Sequence, residues 1–161
     1  MNTLITLLKQ KSLTIAVAES CTGGNLSALL TSQSGSSAYF DRGFITYSNQ
    51  AKIDMLGVKS TTLDKFGAVS EQVALEMVRG VIQNSPADIG VAITGIAGPA
   101  GGTKNKPVGT VCFGFCINNE CTTTTQCFDG NRHGVVEQGV AFSVNALEKQ
   151  LSDNKLFNIV L

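Results

Sequence analysis

Apolar and polar residues alternate along the chain with a period that changes from segment to segment. Continuous apolar runs at Thr14–Ala18 and Asp88–Thr94 predict strands buried on both faces, and Arg42–Ser48 predicts a further strand. Apolar residues at helical spacing predict helices between these strands. The predicted helices are residues 2–11, residues 25–31, residues 49–56, a helix capped by Ser70, and a long final helix with Val136, Val140, Val144, Leu147 and Leu151 on one face.

Two segments in the C-terminal third predict a β-hairpin. Val108–Ile117 and Glu120–Phe128 flank Asn118 and Asn119, and asparagine tolerates the left-handed backbone that a tight turn requires. Helices that alternate with buried strands are typical of an α/β layered domain. We therefore expect a single domain over residues 1–161, an α/β protein built as a three-layer α/β/α sandwich with a mixed sheet.

Composition narrows the class of protein. Hydrophobic residues make up 43% of the 161 positions and charged residues 15%, which favours a well-filled core. Twelve basic residues balance twelve acidic ones, so the charge indicates no nucleic-acid partner and no anionic membrane. No apolar run reaches the ~20 residues of a membrane span, and the N-terminus lacks the pattern of a signal peptide. We expect a cytoplasmic protein.

The five cysteines are expected to be small buried thiols in a reducing compartment. Cys116 and Cys121 fall opposite each other in the predicted hairpin, with Cys112 and Cys127 on the same face. The sequence contains no C-x-x-C pair, and its single histidine is too few for an ordinary zinc site. We therefore expect no metal. Cys21 is the only cysteine near the candidate site described next.

Polar, glycine-rich segments follow two of the predicted strands. The sequence ESCTGG (Glu19–Gly24) follows the first strand, and GIAGPAGGTKNKP follows Thr94. Ligands of α/β domains bind beyond the carboxyl ends of the strands, so these two loops are the expected place of a site. The second loop could hold a phosphate through its backbone N–H groups, although it matches neither G-K-[ST] nor G-x-G-x-x-G.

Ser20 is the candidate nucleophile. A hydroxyl at a strand end is exposed, and the backbone N–H groups of Thr22, Gly23 and Gly24 at the start of the next helix could stabilise an oxyanion or hold a phosphate. The alternative is that the Ser20 or Thr22 side chain only caps that helix, since both residue types are favoured there. A catalytic thiol at Cys21 is a further alternative.

A serine nucleophile needs a base. The single histidine, His133, lies near the start of the final helix, where it is poorly placed for a triad. If Ser48 caps the helix of residues 49–56, Lys52 lies one turn in and its side chain leans back toward the strand that precedes it. The alternative is an exposed lysine on a short helix. Arg132 could pair with a phosphate or carboxylate, or could be a surface arginine at a helix start.

Five segments, in this order, resemble the C-terminal domain of the CinA family: AESCTGG, GSSAYFDRGFITYSNQAKIDMLGV, GAVSEQVA, ADIGVAITGIAGPAGGT and KPVGTVCFGF. That family includes bacterial nicotinamide-nucleotide amidases. The resemblance implies an α/β/α domain that hydrolyses nicotinamide mononucleotide to nicotinate mononucleotide and ammonia in pyridine-nucleotide (NAD) salvage, without a cofactor. It also implies the stand-alone form of a domain that longer members fuse to a larger N-terminal domain, and family habit suggests a dimer.

Carried over residue by residue, the resemblance implies an acyl-enzyme mechanism with Ser20 as nucleophile and Lys52 as its base. Tyr47 belongs to the same motif as Lys52 and is implied to lie in the substrate pocket. Glu19 either orients Lys52 or a water molecule, or is merely a polar strand end. Thr94, followed by Gly95, is implied to line the pocket at the end of the next strand.

The last residue carried over is Arg132, which the resemblance implies to contact the phosphate or the pocket. The family usually has Gly-Asp-Arg where this chain has Gly130-Asn131-Arg132, and loss of the carboxylate would leave Arg132 less firmly oriented. A second function stays open, a catalytically silent module that binds pyridine nucleotides in competence or DNA-damage responses. The presence of Ser20 and Lys52 together with the motif tyrosine favours the enzyme.

Overall fold

The computed structural model describes residues 2–153. Met1 and residues 154–161, which the predicted single domain includes, lie outside this part. The described residues form six α-helices and five strands, with one short 3₁₀ helix at Ser36–Ala38. In chain order these are α1 (Asn2–Gln10), β1 (Ile15–Glu19), α2 (Asn25–Leu30), β2 (Phe40–Ile45), α3 (Asn49–Leu56), α4 (Ser60–Phe66), α5 (Glu71–Gln83), β3 (Ile89–Gly95), β4 (Thr110–Ile117), β5 (Glu120–Cys127) and α6 (Arg132–Ser152).

Two differences from the sequence-based elements have a physical reason. β2 ends three residues before the predicted Ser48, because the chain leaves the sheet to place that serine at the N-terminus of α3. Helix α4 was not predicted at all. Only Leu63 of α4 is buried, so the helix shows no apolar stripe from which it could be recognised.

The sheet is mixed, with strand order β2-β1-β3-β4-β5. β1 pairs in parallel with both β2 and β3, whereas β3–β4 and β4–β5 are antiparallel. Asn118 and Asn119 form the predicted turn between β4 and β5 and both have left-handed backbones, with φ of 51° and 66°. The carboxyl ends of β1, β2 and β3 therefore share one edge with the end of β5, which we call the carboxyl edge.

Helices cover both faces of the sheet, which confirms the three-layer α/β/α prediction. Side chains alternate along β1, so that Ile15 and Val17 join a core with α1, α2 and α6, whereas Ala16 and Ala18 join a second core with α3, α4 and α5. The predicted stripe of α6 lies in the first core, except that Val136 is only half-buried and Val135 is buried in its place. None of the helices within residues 2–153 combines the length and apolar character needed to span a bilayer.

The cysteines differ from the prediction at three positions. Cys116 and Cys121 form a disulfide, so the expectation of free thiols is wrong for this pair. They are directly opposite in the β4–β5 register with Cα atoms 4.1 Å apart, and opposite residues of an antiparallel pair point to the same face. Cys127 is a free thiol but is exposed, because it ends the edge strand β5. Cys21 and Cys112 are free and buried, as predicted.

Two buried helix glycines give a matched test of packing. A Cβ built on Gly80 of α5 would lie 2.2 Å from the carbonyl oxygen of Leu56, whereas one on Gly139 of α6 meets nothing closer than 3.9 Å. We expect Gly80→Ala to lower the free energy of unfolding by about 1–3 kcal/mol through overpacking. Gly139→Ala should raise it by about 0.5–1 kcal/mol, because alanine restricts the unfolded chain more than glycine does. Urea denaturation of both variants measures the difference, and equal effects would contradict the close α3–α5 contact.

Candidate active site

The first strand ends in a charged side chain that is completely buried. Glu19 has 0% exposure, and its carboxylate accepts hydrogen bonds from the backbone N–H groups of Gly24, Leu26 and Ser27 at 3.1, 3.0 and 2.8 Å. The Ser27 hydroxyl donates a fourth at 2.7 Å. These backbone groups at the start of α2 have no partner within the helix. Glu19 therefore caps α2, a role that neither of the predicted alternatives for this residue included.

This cap was missed from the sequence because only the serine and threonine close to the helix start were considered as capping residues. The N-cap residue itself is Gly24, which has no side chain to offer. The prediction that Ser20 or Thr22 caps α2 is wrong, since the Ser20 hydroxyl bonds elsewhere and Thr22 Oγ1 is buried with no partner among the described residues. The one available signal was a carboxylate eight residues before Ser27 at the end of an otherwise apolar strand.

The Ser20 hydroxyl lies against Lys52. The Lys52 Nζ is 3.0 Å from Ser20 Oγ and donates to the Thr46 carbonyl oxygen at 2.8 Å. Lys52 is 1% exposed, so the alternative of a solvent-exposed lysine is wrong. Ser48 does cap α3, accepting a hydrogen bond from the Ala51 N–H at 3.0 Å, and this places Lys52 one turn in, leaning back toward the carboxyl edge.

Burial shifts the pKa values of Lys52 and of the neighbouring Cys21. It lowers the pKa of Lys52 from its ordinary value, because the ammonium loses its hydration, and interaction with Cys21 opposes the shift. Within residues 2–153 no carboxylate lies within 4 Å of the Lys52 Nζ to stabilise the charge. The same burial raises the pKa of Cys21 to about 11, which leaves its thiol protonated near neutrality and disfavours it as a nucleophile.

The turn after Ser20 is closed by its own hydrogen bonds. Gly23 and Gly24 have left-handed backbones, with φ of 56° and 102°, which glycine adopts without strain. Gly23 N–H donates to the Ser20 carbonyl oxygen and Gly24 N–H to Glu19, so these two predicted oxyanion donors are already engaged. The Thr22 N–H donates to no acceptor within the described chain and remains available to a ligand.

Thr94 and Gly95 end β3 beside this turn. The Ser20 N–H donates to the Ile93 carbonyl oxygen at 3.0 Å, which places Thr94 next to the serine on the carboxyl edge. Thr94 is 1% exposed and its hydroxyl donates to the Ala68 carbonyl oxygen at 2.9 Å, so it holds the loop before α5. A Cβ on Gly95 would lie 2.8 Å from the Val111 side chain, and no larger residue fits there.

Arg132 is firmly held at the start of α6. Its guanidinium donates to the Gly98 carbonyl oxygen at 3.0 Å and to the Tyr47 hydroxyl at 2.6 Å. Asn131 caps α6 by accepting a hydrogen bond from the Gly134 N–H at 3.0 Å. Asparagine and aspartate are equally good N-caps, so the departure from the family pattern keeps the cap. The two hydrogen bonds that orient the Arg132 guanidinium do not involve the side chain of residue 131.

A cleft of about 380 Å³ opens between the Ser20 turn and the start of α6. Tyr47, 59% exposed, lies at its mouth beside Arg132. His133 also faces the cleft, but its ring is 3.1 Å from the Glu137 carboxylate and takes no part in a triad with the serine. The residues that line the cleft are Cys21, Thr22, Gly23, Asn25, Tyr47, Arg132, His133 and Val136.

The structure thus brings most of the predicted site residues to one place. Ser20 and Lys52 form the buried pair, and Thr22, Gly23, Tyr47 and Arg132 line the adjoining cleft. Gly24 does not line the cleft, and its N–H donates to Glu19. Thr94 and Gly95 lie next to Ser20 at the end of β3, where the Ile93 carbonyl oxygen accepts from the Ser20 N–H. Among residues 2–153 no three His, Cys, Asp or Glu side chains are grouped as metal ligands. A nucleophile beside a buried amine, with a free backbone N–H nearby, is suited to acyl transfer.

Comparison with known proteins identifies the family of this chain. The family model of the CinA C-terminal domain matches residues 1–151. The chain is 47% identical over 148 residues to nicotinamide-nucleotide amidohydrolase PncC of Escherichia coli K12, an alignment that covers 91% of this chain and 90% of that protein. A solved structure of a CinA superfamily protein from Klebsiella pneumoniae superposes with a TM-score of 0.90 at 39% identity, covering 93% of this chain and 94% of the other. The solved structure of the competence/damage inducible protein CihA from Agrobacterium tumefaciens superposes with a TM-score of 0.86 at 43% identity, covering 96% of this chain and 93% of the other. This chain belongs to the CinA C-terminal domain family.

Proposed function

We propose that this protein hydrolyses the carboxamide of nicotinamide mononucleotide, giving nicotinate mononucleotide and ammonia for pyridine-nucleotide salvage. The observation that carries the proposal is the 3.0 Å contact between Ser20 Oγ and the Lys52 Nζ. The residues that follow Ser20, Cys21 to Gly23, line the adjoining cleft. The relative named a nicotinamide-nucleotide amidohydrolase, 47% identical over nearly its whole length, supports the substrate class.

In the proposed first step Ser20 Oγ attacks the carboxamide carbon as the neutral Lys52 amine takes the hydroxyl proton. A second Nζ hydrogen keeps its bond to the Thr46 carbonyl oxygen, which fixes the direction of the lone pair. The Thr22 N–H is one available donor to the oxyanion, and a well-placed donor of this kind contributes about 3–4 kcal/mol to a transition state. Lys52 then returns the proton to the leaving ammonia.

The second step releases nicotinate mononucleotide from the enzyme. Water, deprotonated by Lys52, attacks the ester between Ser20 and the nicotinate carbonyl, and the serine recovers its proton. The amine must be neutral at the start of both steps. Desolvation lowers the pKa of Lys52 from its ordinary value, and with no carboxylate close to it this favours the neutral amine. A histidine is not needed for either proton transfer.

Arg132 is proposed to hold the 5′-phosphate of the nucleotide. Its guanidinium lies at the cleft mouth with a fixed orientation, and a bidentate pair with a phosphate is among the stronger polar contacts that a protein makes. Tyr47 shares this end of the cleft and exposes its ring to an incoming ligand. In this arrangement the phosphate lies at the mouth and the pyridine carboxamide points inward to Ser20.

The first experiment measures ammonia release from nicotinamide mononucleotide by the wild type, Ser20→Ala and Lys52→Arg. Both variants should lose activity, Lys52→Arg by about 10²–10⁴-fold in kcat, because a guanidinium stays protonated and cannot act as a base. Circular dichroism checks that both remain folded. Substantial turnover by Lys52→Arg would refute the dyad. Nucleotide binding by the wild type without ammonia release would favour the silent binding module.

A neutral buried lysine also predicts a pH-dependent stability. Where the folded-state pKa of Lys52 is lower than the unfolded one, the unfolded chain binds more protons, so stability rises with pH up to the ordinary lysine pKa. We expect the wild type to gain stability relative to Lys52→Met between pH 7 and 10, by at most about 1.4 kcal/mol per pH unit. Denaturant unfolding at each pH measures this. Lys59→Met, at an exposed lysine, is the control for loss of a surface charge, and an identical slope in both variants would contradict a lowered pKa of Lys52.

The phosphate assignment predicts a selective loss of affinity. Arg132→Met should raise KM for nicotinamide mononucleotide by about 10–100-fold, the usual cost of losing hydrogen bonds to a charged group. Activity toward nicotinamide riboside, which has no phosphate, should change much less. Arg79→Met, at an exposed arginine of α5, is the control for a general charge effect. Equal losses on both substrates would show that Arg132 does not bind the phosphate.

A further inference from the structure

We infer that Glu19, Ser27 and Gly43 form a positioning network that sets the Ser20 turn for reaction. The reaction concerned is the amide hydrolysis proposed above, so the meaning of the inference rests on that proposal. None of the three residues lines the cleft or contacts Ser20 Oγ or the Lys52 Nζ. They act through the backbone of residues 20–24.

The Glu19 carboxylate accepts more hydrogen bonds than the side chains that cap α3, α5 and α6. It binds three backbone N–H groups and a hydroxyl at the start of α2, a helix of six residues. Helices α3, α5 and α6 begin with a serine or asparagine that accepts one backbone hydrogen bond. Within residues 2–153 no cation lies within 4 Å of Glu19, so its burial is compensated by neutral donors alone. A carboxylate taken out of water must have its lost hydration replaced, and the start of α2 is where four protein donors converge to do this.

What the carboxylate adds is control of the turn. Gly23 and Gly24 make residues 20–24 intrinsically flexible, and within the turn one backbone bond, Gly23 N–H to the Ser20 carbonyl oxygen, closes it. The bond from Gly24 N–H to Glu19 ties the far end of the turn to the residue before Ser20. Both ends are then fixed to one strand end, which fixes the Ser20 side chain at its distance from Lys52.

Ser27 and Gly43 complete the network on the β2 side. Ser27 gives both its N–H and its hydroxyl to Glu19 Oε1. A Cβ on Gly43 would lie 2.5 Å from Ser27 Oγ, so the glycine provides the space in which this hydroxyl sits. β2 ends at Ile45, two residues after Gly43, and the carbonyl oxygen of the next residue, Thr46, accepts a hydrogen bond from the Lys52 Nζ. The network therefore joins the end of β1, which precedes Ser20, to β2, which precedes the carbonyl oxygen that binds Lys52.

The test compares Glu19→Gln, Ser27→Ala and Gly43→Ala with a matched control, Ser143→Ala. Ser143 is a buried helical serine whose hydroxyl bonds to the Gly139 carbonyl oxygen, outside the network. We measure kcat and KM for ammonia release, the melting temperature, and the rate at which a small fluorophosphonate modifies Ser20. The last readout needs a positioned serine but no nucleotide binding.

We expect Ser27→Ala to lower kcat and the rate of Ser20 modification by about tenfold with KM within about twofold, as a loss of positioning rather than of binding. Glu19→Gln should lower kcat and the modification rate further, because the amide NH₂ of glutamine would face backbone N–H donors from which it cannot accept a hydrogen bond. Gly43→Ala should behave like Ser27→Ala by displacing the hydroxyl. The double variant Ser27→Ala/Gly43→Ala should be no worse than Gly43→Ala alone, because the two changes act on the same contact.

Additive losses in the double variant, or a Ser27→Ala that behaves like Ser143→Ala in kcat and modification rate, would overturn the inference. So would losses that follow the melting temperature alone. A wild type that reacts with the fluorophosphonate but releases no ammonia refutes the amidase proposal while the modification rates still test the network. A wild type that does neither overturns both.

Discussion

The capture of the α2 N-terminus by the Glu19 carboxylate is the interaction on which the site depends. A strand, a turn and a helix must meet at the carboxyl edge, and the turn between them contains two left-handed glycines that specify no geometry by themselves. A buried carboxylate with four donors leaves a single arrangement of this junction, because any displacement would strand a charge in the protein interior. The position of Ser20 follows from that constraint.

Lys52 illustrates the opposite use of burial. The Glu19 carboxylate accepts four hydrogen bonds, whereas the Lys52 amine meets one carbonyl oxygen and one hydroxyl and no carboxylate within 4 Å among the described residues. Desolvation then lowers the pKa of Lys52 and favours the neutral amine. Two ionisable residues on neighbouring elements are thus given different tasks by their hydrogen-bond partners, one to hold backbone and the other, in the proposed mechanism, to move protons.

The cleft itself is assembled from distant parts of the chain. Arg132 at the start of α6 joins the Gly98 loop to Tyr47, which follows β2. These three segments are far apart in sequence and meet because β2, β3 and β5 all end at the same edge of the sheet. Asn131 supports this arrangement by capping α6, since its amide oxygen accepts a hydrogen bond from the Gly134 N–H.

The sequence by itself determined the existence of the strands and the hairpin turn, and it indicated the direction of Lys52 while leaving an exposed lysine open. Each of these depends on neighbours in the chain: apolar runs, two asparagines, and a serine cap one turn before the lysine. Only the tertiary structure decided that Glu19 caps α2, that the glycine N–H groups are engaged, and that Cys116 and Cys121 are joined. Each of these features depends on which donor or thiol is nearest in space. Local patterns report how the backbone bends, but the partner of a buried polar group is chosen by the packing of elements that the sequence keeps apart.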